Sequence, residues 1–208
     1  MTRGGFVPLA PDALPRGLAE RIATLPATLR VAIDGPPCAR PHTLAHSLAE
    51  PLRALGRPVV QIRAESFWRD ASLRFEYGKQ DADSYLNWLD GPALCREVLE
   101  PVVASGTYLP SLRDPRTNRA TREPARTVAP GTVVVLSGSM LLGLGLPFEL
   151  TVHLAVSPAS RARRTPADEA WTLPAFERYE HEVRPQDQAD IVIRLDDPRH
   201  PAISGPRQ

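Results

Sequence analysis

The sequence predicts an α/β domain whose core is a doubly wound, five-stranded parallel sheet with helices on both faces. Two observations carry this. Five short runs rich in Val, Ile or Leu, at 29–33, 58–62, 132–136, 150–154 and 190–193, lack the alternation of a half-exposed strand. Strands covered on both faces read this way. Segments of helical periodicity separate the runs, and strands alternating with helices imply a parallel sheet with right-handed crossovers. Ligands of such sheets sit at the carboxyl ends of the strands, so the chemistry is to be sought there.

Taken in order, residues 17–25 read as a short helix packed on an outer face. The first strand, 29–33, runs into Asp34-Gly35-Pro36-Pro37-Cys38-Ala39-Arg40-Pro41-His42-Thr43, and a helical pattern over 43–55 ends before Gly56. After the second strand comes Glu65-Ser66-Phe67-Trp68, then apolar residues at helical spacing over 84–104, interrupted near Gly91 and Pro92. The third and fourth strands follow, then an amphipathic stretch at 167–183 around Trp171, Phe176 and Tyr179, then the fifth strand. The 23 prolines are spread out, marking turns and leaving 1–15 and 198–208 as loosely ordered tails. With no internal repeat or low-complexity segment, residues 1–208 read as one domain with its core at about 29–195.

Composition excludes several classes. No apolar run approaches the roughly 20 residues that span a bilayer. The N-terminus lacks a positive region followed by an apolar stretch, so no signal peptide is expected. Cys38 and Cys95 cannot staple a domain of this size and read as reduced thiols of a cytoplasmic protein. A net charge of +1 without a long basic run excludes nucleic acid as the expected partner. Among 25 basic residues the single lysine is Lys79, so any reaction needing a lysine ammonium must use it or go without.

The segment after the first strand occupies the place of a phosphate-binding loop, G-x-x-x-x-G-K-[ST]. Gly35 fits the first glycine, whereas Arg40, Pro41 and His42 stand where Gly, Lys and Ser/Thr belong. The order of motifs resembles the uridine kinase family, particularly its short bacterial members. The resemblance rests on Ile33-Asp34-Gly35, on Glu65-Ser66-Phe67-Trp68, and on Tyr108 with Arg113-Asp114-Pro115-Arg116-Thr117-Asn118. It continues through Ser137-Gly138, through Ser160-Arg161-Ala162-Arg163-Arg164 in the place of the family's lid, and through the closing segment Arg178-Tyr179-Glu180 to Ile193. It covers residues 30–195. It implies a P-loop kinase-like fold with strand order 2-3-1-4-5, and transfer of the ATP γ-phosphate to a nucleoside hydroxyl with Mg-ATP.

Carried over residue by residue, the resemblance makes Glu65 the base that takes the proton from the acceptor hydroxyl. Gly35, Arg40, Thr43, Arg161 and Arg164 fall where the cofactor binds. Trp68, Tyr108, Arg113 and Arg116 fall toward the substrate. Plainer roles stand beside these: packing for Trp68 and Tyr108, a solvated surface for the arginines. The departures bear on chemistry. Arg40 places a Cβ where an unusual backbone angle is often needed. Pro41 removes the lysine charge and a donor, and His42 is a poor ligand for Mg²⁺. Ser137 replaces the metal-holding acid. Mg-ATP is therefore expected to bind weakly or not at all, unless Arg40 restores part of the lost charge.

Three functional readings follow: a nucleoside-kinase-like phosphotransferase, a non-catalytic pseudokinase binding module, or an enzyme of another class using Glu65 and His42 for acid–base chemistry. The expected partner is a small ligand, nucleoside-like or otherwise polar-aromatic, without nucleic acid or membrane and with a homo-oligomer left open. It is expected to sit between Glu65–Trp68 and Tyr108–Arg116. No metal site is expected. Cys38 and His42, four apart, could make a nucleophile, and His42 with His46 a metal pair, but neither has a third partner at suitable spacing. His153, inside a strand, reads as a satisfied core histidine.

Overall fold

The computed structural model describes residues 5–204, and strands alternate with helices through its central part. β1 (Phe6–Pro8) and α1 (Ala13–Ala23) precede β2 (Leu29–Asp34), the first apolar run. A 3-10 turn at Pro37–Ala39 leads into α2 (Pro41–Ser47) and α3 (Ala49–Ala54). Periodicity reads these as one helix, but Pro51 has no N–H for the Ser47 carbonyl, and the helix divides at Leu48. β3 (Val59–Arg63) ends in a turn at Ala64–Phe67.

The next segment is more broken than its periodicity suggests. α4 (Ala71–Arg74) and α5 (Ala82–Tyr85) are single turns, capped by Asp70 and Asp81, whose carboxylates accept from the backbone of Ser72 and Ser84. α6 (Gly91–Leu94) joins α7 (Glu100–Ala104) through a wide π turn at Cys95–Leu99. Pro101 causes it: with no N–H to offer the Glu97 carbonyl, it leaves that oxygen to the Leu109 amide at 2.9 Å. A small ribbon of β4 (Thr107–Tyr108) and β5 (Arg126–Thr127) precedes β6 (Val133–Gly138) and β7 (Leu150–Ala155). α8 (Pro158–Arg164), a 3-10 turn at Ala167–Thr172, α9 (Leu173–Glu182), α10 (Pro185–Gln188), β8 (Ile191–Arg194) and β9 (Ala202–Ser204) complete the chain.

The main sheet runs β1-β9-β8-β7-β2-β6-β3, parallel from β3 to β8. It has seven strands rather than the expected five. β9 pairs antiparallel with β8 and β1 antiparallel with β9, so parts of both expected loose tails are built into one edge. Two three-residue strands, one ending in proline, carry too little pattern to be read in advance; the Arg194 guanidinium 3.7 Å above the Phe6 ring helps hold them. Residues 1–4 and 205–208 of those tails lie outside the described residues.

Alternation along the central strands explains why they look uniformly apolar. Val31, Ile33, Val133 and Val135 face α1, α2 and α3, packing with Leu18, Ile22 and Leu48. Ala32, Val134 and Leu136 face the other way, onto Phe67, Leu94 and Val98. Both faces are covered, so the residues buried between the helical layers are apolar until the strand reaches its carboxyl end, while Arg30 on β2 and Gln61 on β3 lie where that cover is incomplete. There polar residues begin: Asp34 on β2, Ser137 on β6, and Glu65 just past β3.

Candidate functional site

The segment after β2 has the course of a phosphate loop but has turned its polar groups inward. Asp34 is fully buried, and its carboxylate accepts from the Leu141 amide (2.9 Å), His153 Nδ1 (2.7 Å) and the Tyr179 hydroxyl (3.1 Å). His153 is thus a satisfied core histidine. Burial, with Asp34 beside it, pushes the Tyr179 phenol far above its ordinary range. Gly35 is required by packing: a Cβ there would stand 2.8 Å from that of Leu154. Arg40 takes the left-handed conformation (φ 57°, ψ 56°) that favours glycine, at roughly 1 kcal/mol for a residue with a Cβ.

A phosphate nest needs several N–H groups converging on one point. Pro36, Pro37 and Pro41 have none to give. The Ala39 and Arg40 amides are spent on the carbonyls of Pro36 (2.8 Å) and Pro37 (2.9 Å), and that of Gly35 on Gly138 (3.1 Å). Arg164, at the end of the lid-like helix α8, donates to the carbonyls of Cys38 and Leu195. Arg161 is 1% exposed, paired with Glu180 and set 5.7 Å from the Phe176 ring. The residues at these positions do not fit Mg-ATP phosphates. Arg40, Thr43 and Arg164 do meet, along an outer cavity of about 600 Å³ that Leu14 and Leu195 also line; Gly35 and Arg161 do not line it.

The place where metal and phosphate would be held contains a hydrogen-bonded chain of three side chains. His42 Nδ1 lies 2.8 Å from Ser137 Oγ, and Nε2 lies 2.9 Å from Glu65 Oε1. The carboxylate can only accept, so Nε2 carries the proton; in the neutral ring Nδ1 then accepts from the serine hydroxyl. Sheet register sets this up. Ser137 pairs with Ile33 on one side and Arg63 on the other, which puts its hydroxyl between the start of α2 and the turn bearing Glu65. Gly138 lets that turn approach, for a Cβ there would lie 2.4 Å from the Ala64 Cβ.

Beside His42 and Glu65 opens a cavity of about 330 Å³. Trp68, Tyr85, Trp88 and Trp171 line it, with Arg63 and Glu169 at its rim. The rings meet edge to face: Trp68 and Trp88 at 5.1 Å and 76°, Tyr85 and Trp88 at 4.8 Å and 65°, Tyr85 and Trp171 at 5.4 Å and 82°. Burial, with Glu65 and Glu169 adding to it, pushes the Tyr85 phenol above its ordinary range. Glu65 Oε2 is buried without a hydrogen-bond partner, its nearest cation being Arg63 Nε at 3.6 Å.

Of the residues singled out in the sequence, Glu65, His42 and Trp68 line this cavity; Tyr108, Arg113 and Arg116 do not. Tyr108 is 8% exposed and packs in the core with Phe67 and Leu94, because the β4–β5 ribbon turns it inward. Arg113 is held by Asp70 (2.9 Å) and the Asn118 carbonyl (2.8 Å), and Arg116 is exposed. The far wall comes instead from Tyr85, Trp88 and Trp171. Tyr85 and Trp88 fall inside the stretch 84–104, which its spacing marks only as helical, and Trp171 reads as part of an amphipathic helix. Cys38 is not an activated thiol: burial pushes its pKa up against the pull of Arg164 and Arg161, and both nitrogens of His42 are engaged elsewhere. His46 is exposed, and no metal-binding cluster occurs among the described residues. No described helix is long and apolar enough to cross a membrane.

No protein-family model and no curated protein matches the chain. Solved structures do. A protein described as a possible uridine kinase from Bacillus stearothermophilus matches with a TM-score of 0.70 at 18% identity, over 86% of this chain and 96% of that one. A protein provisionally named as a fructose transport system kinase from Silicibacter sp. TM1040 matches at 0.56 and 22%, over 87% and 95%. The YGR205w protein matches at 0.60 and 9%, over 96% and 100%. The chain therefore has a uridine-kinase-like P-loop kinase fold, and at these identities the likeness is one of fold alone.

Proposed function

We propose that this chain is a binding module on a nucleoside-kinase-like fold. It holds a small polar-aromatic ligand in the cavity between His42, Glu65 and the four aromatic rings, and does not use Mg-ATP. The observation that carries this is the Ser137–His42–Glu65 chain. It joins the three positions that in the resembling family would hold the metal hydroxyl, the metal acid and the acceptor base. Ser137 and both nitrogens of His42 are engaged within the chain, and Glu65 is engaged through Oε1 alone, its Oε2 remaining without a hydrogen-bond partner. The acid–base alternative is disfavoured by burial: the hydroxyl that His42 Nδ1 could deprotonate belongs to Ser137, which is 3% exposed and does not line the cavity.

Calorimetric titration tests the proposal. Nucleosides such as uridine should bind saturably and lose at least tenfold in affinity in Trp171→Ala. Mg-ATP should show no saturable binding tighter than about 1 mM, roughly −4 kcal/mol. Micromolar Mg-ATP binding would overturn the proposal and restore the phosphotransferase, with Arg40 as the replacement charge.

A further inference from the structure

The cavity walls suit one class of ligand better than a neutral nucleoside. Four aromatic rings surround it, and the steep angles between neighbours make corners, so that ring faces and edges converge on one space. Trp88 and Trp171, with centroids 5.7 Å apart and tilted by 47°, close the far side. Ring faces carry the negative part of the aromatic quadrupole and attract a cation within about 6 Å, most strongly where water is excluded. The same cluster already holds one cation. The Arg74 guanidinium lies 5.1 Å from the Trp68 centroid, 4.7 Å from Phe75 and 4.8 Å from Trp88, is 4% exposed, and does not line the cavity.

The charges point the same way. At the rim Arg63 and Glu169 offset one another. Further in stands Glu65, 17% exposed, whose Oε1 accepts from His42 while Oε2 is buried without a hydrogen-bond partner. A buried carboxylate oxygen left in that state costs free energy that a donor or a positive charge recovers. Arg63 reaches only 3.6 Å from it on a side chain 63% exposed, so solvent weakens that pairing.

We infer that the cavity recognises a small organic cation, an alkylated ammonium or a cationic heteroaromatic ring, whose charge sits among Trp68, Tyr85, Trp88 and Trp171 and faces Glu65. The inference rests on the binding-module reading and narrows the ligand of that same site.

A matched pair of probes isolates the charge: choline and 3,3-dimethylbutan-1-ol, which share shape and differ by a quaternary nitrogen against carbon. Tryptophan fluorescence and calorimetry should show choline binding saturably, at least tenfold tighter than the alcohol. Glu65→Gln should reduce the preference to a few-fold, and Trp171→Ala should abolish choline binding while Trp171→Phe keeps most of it. Equal binding of the two probes, or a preference for the alcohol, overturns the inference. A parallel titration with uridine separates the two levels. If uridine binds in a Trp171-dependent way and choline does not, the cation inference falls and the binding module stands. If none of the three probes binds, both fall. Thermal melts of each variant show whether a loss reflects unfolding, and Trp171→Phe keeps the test open if Trp171→Ala does not fold.

Discussion

The loop after β2 and the aromatic cavity lie at the carboxyl ends of the parallel strands and share His42, yet they dispose of their polar groups in opposite ways. In the loop, three prolines remove N–H groups, two amides close a 3-10 turn, and Arg164 is tied to two carbonyls. Around the cavity, Glu65 keeps an oxygen without a hydrogen-bond partner, and four rings bound a space of about 330 Å³. A course of chain that resembles a phosphate site is not a phosphate site unless its donors still point outward. Packing by itself constrains the backbone path here: a Cβ at Gly35 would crowd Leu154, and one at Gly138 would crowd Ala64.

The largest expected effect tests whether the loop has become structural. Asp34 accepts three hydrogen bonds in a fully buried site, so Asp34→Ala leaves the Leu141 amide, His153 and Tyr179 without their acceptor. The variant should lose about 3 kcal/mol or more. Thermal denaturation should show this as a fall of roughly 10 °C for a domain of this length. A loss below about 1 kcal/mol, within the range of ordinary surface changes, would mean that the network beneath the loop contributes little.

The contrast was only half legible in the sequence. The loop's departures from the phosphate-loop pattern could be read directly, because Arg40, Pro41, His42 and Ser137 stand just past the expected strand ends. What those residues do instead could not: the contact of His42 with Ser137 spans 95 positions and arises from sheet register. The cavity was legible on one side, through Glu65 and Trp68. Its other wall comes from three rings at 85, 88 and 171, brought together by the broken segment around α4 and α5 and by the turn before α9. Periodicity cannot register such a meeting, since it sees only neighbours along one element. The antiparallel edge escaped notice for a simpler reason: β1 and β9 are three residues each.

A middle-sized effect sharpens the comparison at the residue both regions share. His42→Ala strands the Ser137 hydroxyl, 3% exposed, and the Glu65 carboxylate. It should cost about 2 kcal/mol. Glu65→Gln keeps an acceptor for His42 and should cost less stability, yet weaken ligand binding more. Equal losses of affinity in the two variants would show that His42 holds the ligand as well as the scaffold. A smaller effect of opposite sign is expected at Arg40. Glycine adopts φ near 57° without strain, so Arg40→Gly should stabilise the fold by up to about 1 kcal/mol. It should not confer Mg-ATP binding, because Pro41 and the His42 chain remain. Denaturant titration of the variant measures the first claim and calorimetry the second.

The smallest effect is a pH dependence, and it asks whether the cavity walls form a unit separable from the sheet. Asp70 and Asp81 cap the short helices beside the cavity, and Asp114 holds the loop whose Arg113 and Asn118 pack against Asp70. The backbone and hydroxyl of Ser72 lower the pKa of Asp70, the hydroxyl and backbone of Ser84 lower that of Asp81, and the amides of Arg116 and Thr117 lower that of Asp114. A carboxylate lowered in the folded state contributes stability that is present above its unfolded pKa and lost as pH falls through the folded value. Below about pH 4 these caps should release in turn. All three tryptophans, Trp68, Trp88 and Trp171, lie in the ring cluster, so tryptophan fluorescence reports this region and far-UV dichroism reports the sheet and helices. On acid titration the fluorescence change should come first, at higher pH, and Asp81→Asn should weaken the Ser84 cap already at neutral pH while leaving the dichroism transition in place. If the two signals move together in the wild-type chain, the aromatic wall and the sheet unfold as one, and the cavity owes its shape to the core rather than to its own capped loops.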